Sequence, residues 1–179
     1  VFDKCVWKKN TSTSWATIYI LTSGEFANNV AMTNCLFDSN EAAGRGGAIY
    51  ARATASGGVN LKCVNSTFHG NIGTAAGTAI VAYSGAAANK VNVDMISCTV
   101  TGNKSKNSGN HYAVYAENAG ATVNLYNTLT ANNQGSNERY NVNKGTNGVF
   151  KEYYCQDGLR YYDKTGTKTS DNNGFVLNT

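Results

Sequence analysis

Lys8, Asp38 and His69 come nearest, by type and spacing, to a reactive group in this chain. They stand 30 and 31 residues apart, and in a coil of that period they would stack outward on three successive turns. A carboxylate between an ammonium and an imidazole has the ingredients for general acid–base work. Cleaving a polysaccharide would need more: paired carboxylates on one face, or acids holding a metal beside a base. The 11 acids are Asp3, Glu25, Asp38, Glu41, Asp94, Glu117, Glu138, Glu152, Asp157, Asp163 and Asp171, and none recurs in one column on adjacent turns. Lys8, Asp38 and His69 therefore read as a surface charge ladder, and no catalytic residue is expected.

The cysteines, Cys5, Cys35, Cys63, Cys98 and Cys155, include no CxxC pair, and His69 and His111 lie near no two of them. That spacing argues against zinc, so no metal and no cofactor is expected. Cys5 and Cys35 share a column at a separation compatible with a disulfide, while Cys98 recurs there with Ser66 between. A reduced interior stack is the favoured reading.

Tyr19, Tyr50 and Tyr115 form a second outward column, interrupted by Val81. Rings in a row suit stacking on a sugar or packing on a partner protein, or they simply cover one another as cross-strand neighbours. Thr67, Thr99 and Thr128 make a third outward file. Sequons stand at Asn10, Asn65 and Asn103 and matter only in a glycosylating cell.

A repeat gives all these residues their spacing. Segments closing on Asn10, Asn40, Asn71, Asn103 and Asn132 return at about 30 residues. Between them run Ile18-Tyr19, Ile49-Tyr50, Ile80-Val81 and Val114-Tyr115, then Val30-Ala31-Met32, Val59-Asn60-Leu61, Val91-Asn92-Val93 and Val123-Asn124-Leu125. Apolar spacing of two, with β-branched residues, Gly and Asn between, excludes helix. Three short strands per period predict an all-β, three-sided, right-handed parallel β-helix, the hand following from the general preference of crossovers. About four and a half rungs fill residues 1–145, and 146–179 form a capping hairpin and tail.

Alternation assigns Cys5, Trp7, Cys35, Phe37, Ser66, Phe68, Cys98, Val100 and Leu129 to the interior, with Ile18, Ile20, Ile49, Ala51, Ile80, Ala82, Val114 and Ala116 on the second side. The recurring Asn suits a left-handed corner, and stacked carboxamides can hydrogen-bond as a ladder. After Asn132 the regularity decays into the aromatic stretch Gly148 to Tyr162, whose Asp157-Gly158 signals a hairpin.

Composition agrees with an ordered β domain: 41% apolar residues, 15% charged, 19 Gly and no Pro in 179 residues. The net charge of +4 is scattered, so nucleic-acid binding is not expected. No apolar run is long enough for a membrane span. Val1 and the absence of a visible signal peptide give the look of an excised segment.

Two motifs, Phe37-Asp38-Ser39-Asn40 with Gly46-Gly47-Ala48-Ile49-Tyr50, and Phe68-His69-Gly70-Asn71, resemble the repeat of the polymorphic outer-membrane proteins of chlamydiae and related adhesin-like β-helices. Val100 and Leu129 replace Phe in later rungs, and Gly77-Thr78-Ala79-Ile80-Val81 approximates the second motif. The resemblance implies a secreted or surface-displayed adhesin segment whose partner is a glycan or a cell-surface protein. A carbohydrate-active β-helix and a self-associating filament subunit are the alternatives.

Overall fold

The computed structural model describes residues 1–75, 77–106, 112–133, 142–144, 147–157, 160–162 and 168–170. His111, Glu138, Asp163, Asp171, most of the expected tail from Lys164 and its anchor at Phe175-Val176-Leu177 lie outside them. No helix forms among the described residues.

The chain is a parallel β-solenoid of about four turns. The first rung contains β1 (Phe2–Asp3), β2 (Val6–Lys8), β3 (Thr11–Ser12) and β4 (Ile18–Thr22). The second contains β5 (Asn28–Thr33), β6 (Leu36–Asp38), β7 (Glu41–Ala42) and β8 (Ile49–Ala53), and the third β9 (Val59–Val64), β10 (Thr67–His69), β11 (Ile72–Gly73) and β12 (Ile80–Ser84). The fourth contains β13 (Val91–Ile96), β14 (Thr99–Thr101), β15 (Lys104–Ser105) and β16 (Val114–Glu117), and the fifth β17 (Ala121–Tyr126), β18 (Leu129–Ala131) and β19 (Val142–Lys144). Corresponding strands pair in parallel, so each rung contributes to four sheets rather than three. The extra sheet, β3, β7, β11 and β15, has two-residue strands, too short to show alternation in sequence.

Two sharp corners per rung make this possible, and each needs one residue in left-handed conformation. Ahead of the two-residue strand these are Lys9, Ser39, Gly70, Gly102 and Asn132, with φ from 54° to 66°. The ladder asparagine is the next residue, so it does not itself take the strained conformation expected of it. Its carboxamide is spent on hydrogen bonds. Asn71 Nδ2 donates to Asn103 Oδ1 at 2.9 Å and to Phe37 O at 3.0 Å, and Asn71 Oδ1 accepts from the backbone N and Nδ2 of Asn40. The same set joins Asn10 to Asn40 and Asn103 to Asn133. The fifth ladder member is thus Asn133, and Asn132, exposed at φ 54°, is the corner residue before it.

The other corner, between the long strand and the three-residue strand, places Lys4, Asn34, Asn65, Ser97, Asn127 and Tyr154 at φ of 47° to 56°. After each comes a thiol or hydroxyl: Cys5, Cys35, Ser66, Cys98, Thr128 and Cys155. All six donate to the carbonyl two residues earlier. Ser66 and Thr128 also accept from the backbone N of Cys35 and Cys98 on the preceding rung. Cysteine and hydroxyl residues are therefore equivalent here as short donors, and all five cysteines are free.

Inside, like stacks on like. The rings of Trp7, Phe37 and Phe68 lie parallel, with centroids 4.6 and 4.7 Å apart. Val100 and Thr130 continue that column, both fully buried. Thr130 replaces the expected Leu129, because the fifth rung runs one residue later than its spacing from Asn132 indicates. For the same reason Thr128 faces inward and leaves the outward Thr file. Ile49, Ile80 and Val114 stack on the second side, and Val59, Val91 and Ala121 on the long strands. Each buried aliphatic side chain contributes roughly 1.5–3 kcal/mol.

Parallel stacking continues past 145. β20 (Val149–Tyr153) pairs in parallel with β17, and β21 (Gln156–Asp157) with β18. Only then does the chain reverse: β22 (Arg160–Tyr162) lies antiparallel to β21, and β23 (Lys168–Ser170) antiparallel to β22. The hairpin signalled by Asp157-Gly158 thus forms, but the first half of the Gly148–Tyr162 segment is a further parallel layer.

Candidate functional site

Register brings Lys8, Asp38 and His69 into one outward file, as their spacing indicates. Lys8 Nζ lies 2.9 Å from Asp38 Oδ2, and His69 Nδ1 lies 3.0 Å from Asp38 Oδ1. Ser39 also donates its hydroxyl to that Oδ1 at 2.9 Å. His69 first, then Lys8 and Ser39, hold the Asp38 carboxyl well below the usual carboxylate range. Nucleophilic catalysis needs a hydroxyl aimed at a base that is itself oriented by a third group. Here the Ser39 hydroxyl donates to a carboxylate that is also engaged by Lys8 and His69. The file is a charge ladder. Among the described residues no three His, Cys, Asp or Glu side chains are grouped to hold a metal ion.

The outer face of the β4–β8–β12–β16 sheet has a different character. One outward column is Tyr19, Tyr50, Val81 and Tyr115, and the next is Leu21, Arg52, Tyr83 and Glu117. The loops entering these strands fold back over them. Their turn is made at Gly46 and Gly77, whose φ of 68° and 76° a side chain rarely adopts. A Cβ on Gly46 would lie 2.3 Å from Ile49 O, so the position also demands the lack of a side chain.

Trp15, from the loop before β4, rests on the Tyr50 ring with centroids 5.5 Å apart, and Tyr19 stacks on Tyr50 at 5.3 Å and 16°. Tyr50 is consequently only 2% exposed. The three-tyrosine column is not an open row of rings. Ala16, Tyr50 and Val81 form a small outer core, with Tyr83 and Tyr115 at its margin. Burial pushes the Tyr50 phenol up to about 12. Burial, then the charge of Glu117, raises Tyr115, whose ring stacks on Tyr112 at 5.5 Å.

Two guanidinium groups finish the surface. Arg45 and Arg52 sit 5.5 and 5.3 Å from the centroid of the Tyr83 ring, within cation–π range. Arg45 is ion-paired with Glu117. Arg52 Nη1 donates to the Tyr19 hydroxyl at 3.3 Å, and its buried Nε has no partner. What remains open to solvent is Trp15 and Tyr19, each 38% exposed, and Leu21 at 40%. Rigid rings backed by further rings, beside a guanidinium and a phenol, can stack on the apolar face of a sugar and hydrogen-bond its hydroxyls. They are equally suited to anchoring a protein partner.

Among the residues expected to form this surface, Tyr19 is placed at solvent, Tyr115 at its margin and Tyr50 beneath it. Trp15, Arg45, Arg52 and Tyr83 are additions from the structure. Arg52 and Tyr83 stand two residues beyond Tyr50 and Val81, on the same outward parity, which is the signal that locates them. The sequon at Asn103 is fully buried in the ladder. No helix among the described residues is long and apolar enough to cross a membrane. No family model, curated protein or solved structure matches the chain.

Proposed function

We propose that the chain is a non-enzymatic, extracellular or cell-surface β-solenoid that acts as an adhesin. Its rigid coil is the stalk, and the aromatic face around Trp15 and Tyr19 is the contact surface for a glycan or a protein on another cell. The supporting observation is the pair of half-exposed rings braced on buried Tyr50: large aromatic area is held at solvent with little conformational freedom left to lose on binding. The likeness of the Phe-x-x-Asn and Gly-Gly-Ala-Ile-Tyr motifs to the chlamydial repeat supports the cellular placement.

A carbohydrate-active reading would need Asp38 free to take a proton. Its engagement with Lys8, His69 and Ser39 favours the adhesin instead. A glycan array and a cell-binding assay, run with Trp15→Ala and Tyr19→Ala, test the proposal. Loss of binding in both variants with an unchanged fold supports it, and binding indifferent to both removes it.

A further inference from the structure

Two guanidinium groups rest on the Tyr83 ring, and only one of them is neutralised. Arg45, from the loop before β8, and Arg52, on β8, lie 5.5 and 5.3 Å from its centroid. Arg45 is ion-paired with Glu117 on β16, two rungs away. Among the described residues Arg52 meets no carboxylate. Its neighbours in the outward column are Leu21 and Tyr83, and Tyr50 stands beside it on its own strand. Its Nη1 donates only to the neutral Tyr19 hydroxyl, at 3.3 Å, and its Nε is buried without a partner. β8, β12 and β16 each have a strand on both sides, so the surplus charge belongs to the middle of the sheet and not to an end of the coil.

The surroundings say what kind of anion fits. Arg52 is already held by the Tyr83 ring and the Tyr19 hydroxyl, so little of its freedom is left to lose on binding. Its planar fork matches a carboxylate, which takes two parallel hydrogen bonds from it. A carboxylate there stands beside Tyr19 and, next to that ring, Trp15. The open apolar surface around it is small, consisting of Trp15, Tyr19 and Leu21. A stable protein interface takes roughly 20–30 residues a side. Three side chains suit a single sugar ring instead.

We infer that the glycan this face contacts is acidic: Arg52 pairs with the carboxylate of a sugar acid whose ring lies on Tyr19 and Trp15. The inference rests on the adhesin reading and gives its contact surface a ligand class. It also gives Glu117 a task. By neutralising Arg45, Glu117 confines the surplus charge to Arg52.

The probes are hexagalacturonate and sialyllactose, each titrated calorimetrically into the full chain beside its neutral counterpart, the methyl-esterified hexamer and lactose. At least one acidic probe should bind about tenfold more tightly than its counterpart, and high salt should shrink the advantage. Arg52→Gln should abolish the advantage, and Arg52→Lys should keep only part of it, because an ammonium lacks the fork. Glu117→Gln, which frees Arg45, should raise it by about threefold. That variant gains binding, so it separates recognition from loss of fold. Equal binding of acidic and neutral sugars, an advantage that survives Arg52→Gln, or no binding of either acidic probe would overturn the inference. So would polyglutamate binding as tightly as the sugar acids, which would make the partner an acidic protein. If Trp15→Ala and Tyr19→Ala abolish cell binding while the acidic probes show no advantage, the contact surface stands and the ligand class falls. If both variants bind cells as the parent does, the contact surface fails and this inference fails with it.

Discussion

The rings of Phe37 and Phe68 lie face to face, 4.7 Å between centroids and 5° from parallel, although 31 residues separate them in the chain. That distance is the spacing of neighbouring strands in a sheet. One side chain thus reports that the backbone has completed one circuit and returned to its own register.

Removing a ring from the middle of this stack should be expensive. Phe68→Ala deletes a fully buried side chain between Phe37 and Val100, and should cost about 3–5 kcal/mol. Trp7→Ala, at the open end, should cost distinctly less. Urea unfolding of the two variants beside the parent gives the comparison.

Asn71→Leu should be as damaging through polarity alone. It takes the Asn71 partner from the buried backbone N of Asn40 and from the carbonyl of Phe37, at about 1–3 kcal/mol each, and one of the two bonds of Asn40 Nδ2, which keeps Trp7 O, so a loss of about 3–5 kcal/mol is expected. The outward ladder of Asn29, Asn60 and Asn92 is exposed. Asn60→Ala should stay within about 0.5 kcal/mol of the parent. Thermal melts of both variants separate the two kinds of ladder.

The ladder also shows how far the sequence could be read. Asn10, Asn40, Asn71 and Asn103 were legible because each rung needs a carboxamide that bonds to the next, and Asn40, Asn71 and Asn103 make the same four side-chain bonds. The fifth position was not: Asn132 and Asn133 are adjacent, and Thr130 stands where an aromatic or Val would have fixed the alignment. The left-handed corner, expected at the ladder Asn itself, stands one residue earlier, where Lys9, Ser39, Gly70, Gly102 and Asn132 share a backbone conformation and no chemistry that would mark it. Aligning the fifth rung on Asn132 instead of Asn133 turns Thr128 outward and Leu129 inward, one residue out of step with the register. Period-two alternation correctly put Tyr50 outside the coil. It has no bearing on whether a loop returns to cover the ring, as Trp15 does.

Acid should weaken the fold partly through Asp38. Its folded-state pKa is depressed, so its contribution is fully present above the ordinary carboxylate value of about 4 and is lost as pH falls through the folded value. Asp38→Asn should lower stability at neutral pH and flatten the decline between about pH 5 and 2. Chemical denaturation across that range checks both points, and 1 M salt should reduce the difference, since Lys8 and His69 are more than half exposed.

Alkali should act through Tyr50 with the opposite sign. Its phenol titrates near 12 in the fold, against about 10 when unfolded, so its contribution is whole below pH 10 and is lost as pH rises towards 12. A spectrophotometric titration of Tyr50→Phe against the parent should lack one late-ionising phenol. Its stability should fall less steeply above pH 10.

Strand register is the claim on which the core, both ladders and the aromatic face depend, and paired cysteines read it directly. On the outward side of β9 and β13, Asn60 faces Asn92 and Lys62 faces Asp94. Asn60→Cys with Asn92→Cys, and Lys62→Cys with Asp94→Cys, should each cross-link under mild oxidation. The crossed combinations, Asn60→Cys with Asp94→Cys and Lys62→Cys with Asn92→Cys, should not, because a diagonal of about 8 Å exceeds disulfide reach. Crossed pairs that close as readily as the direct ones, or direct pairs that never close, would contradict the solenoid.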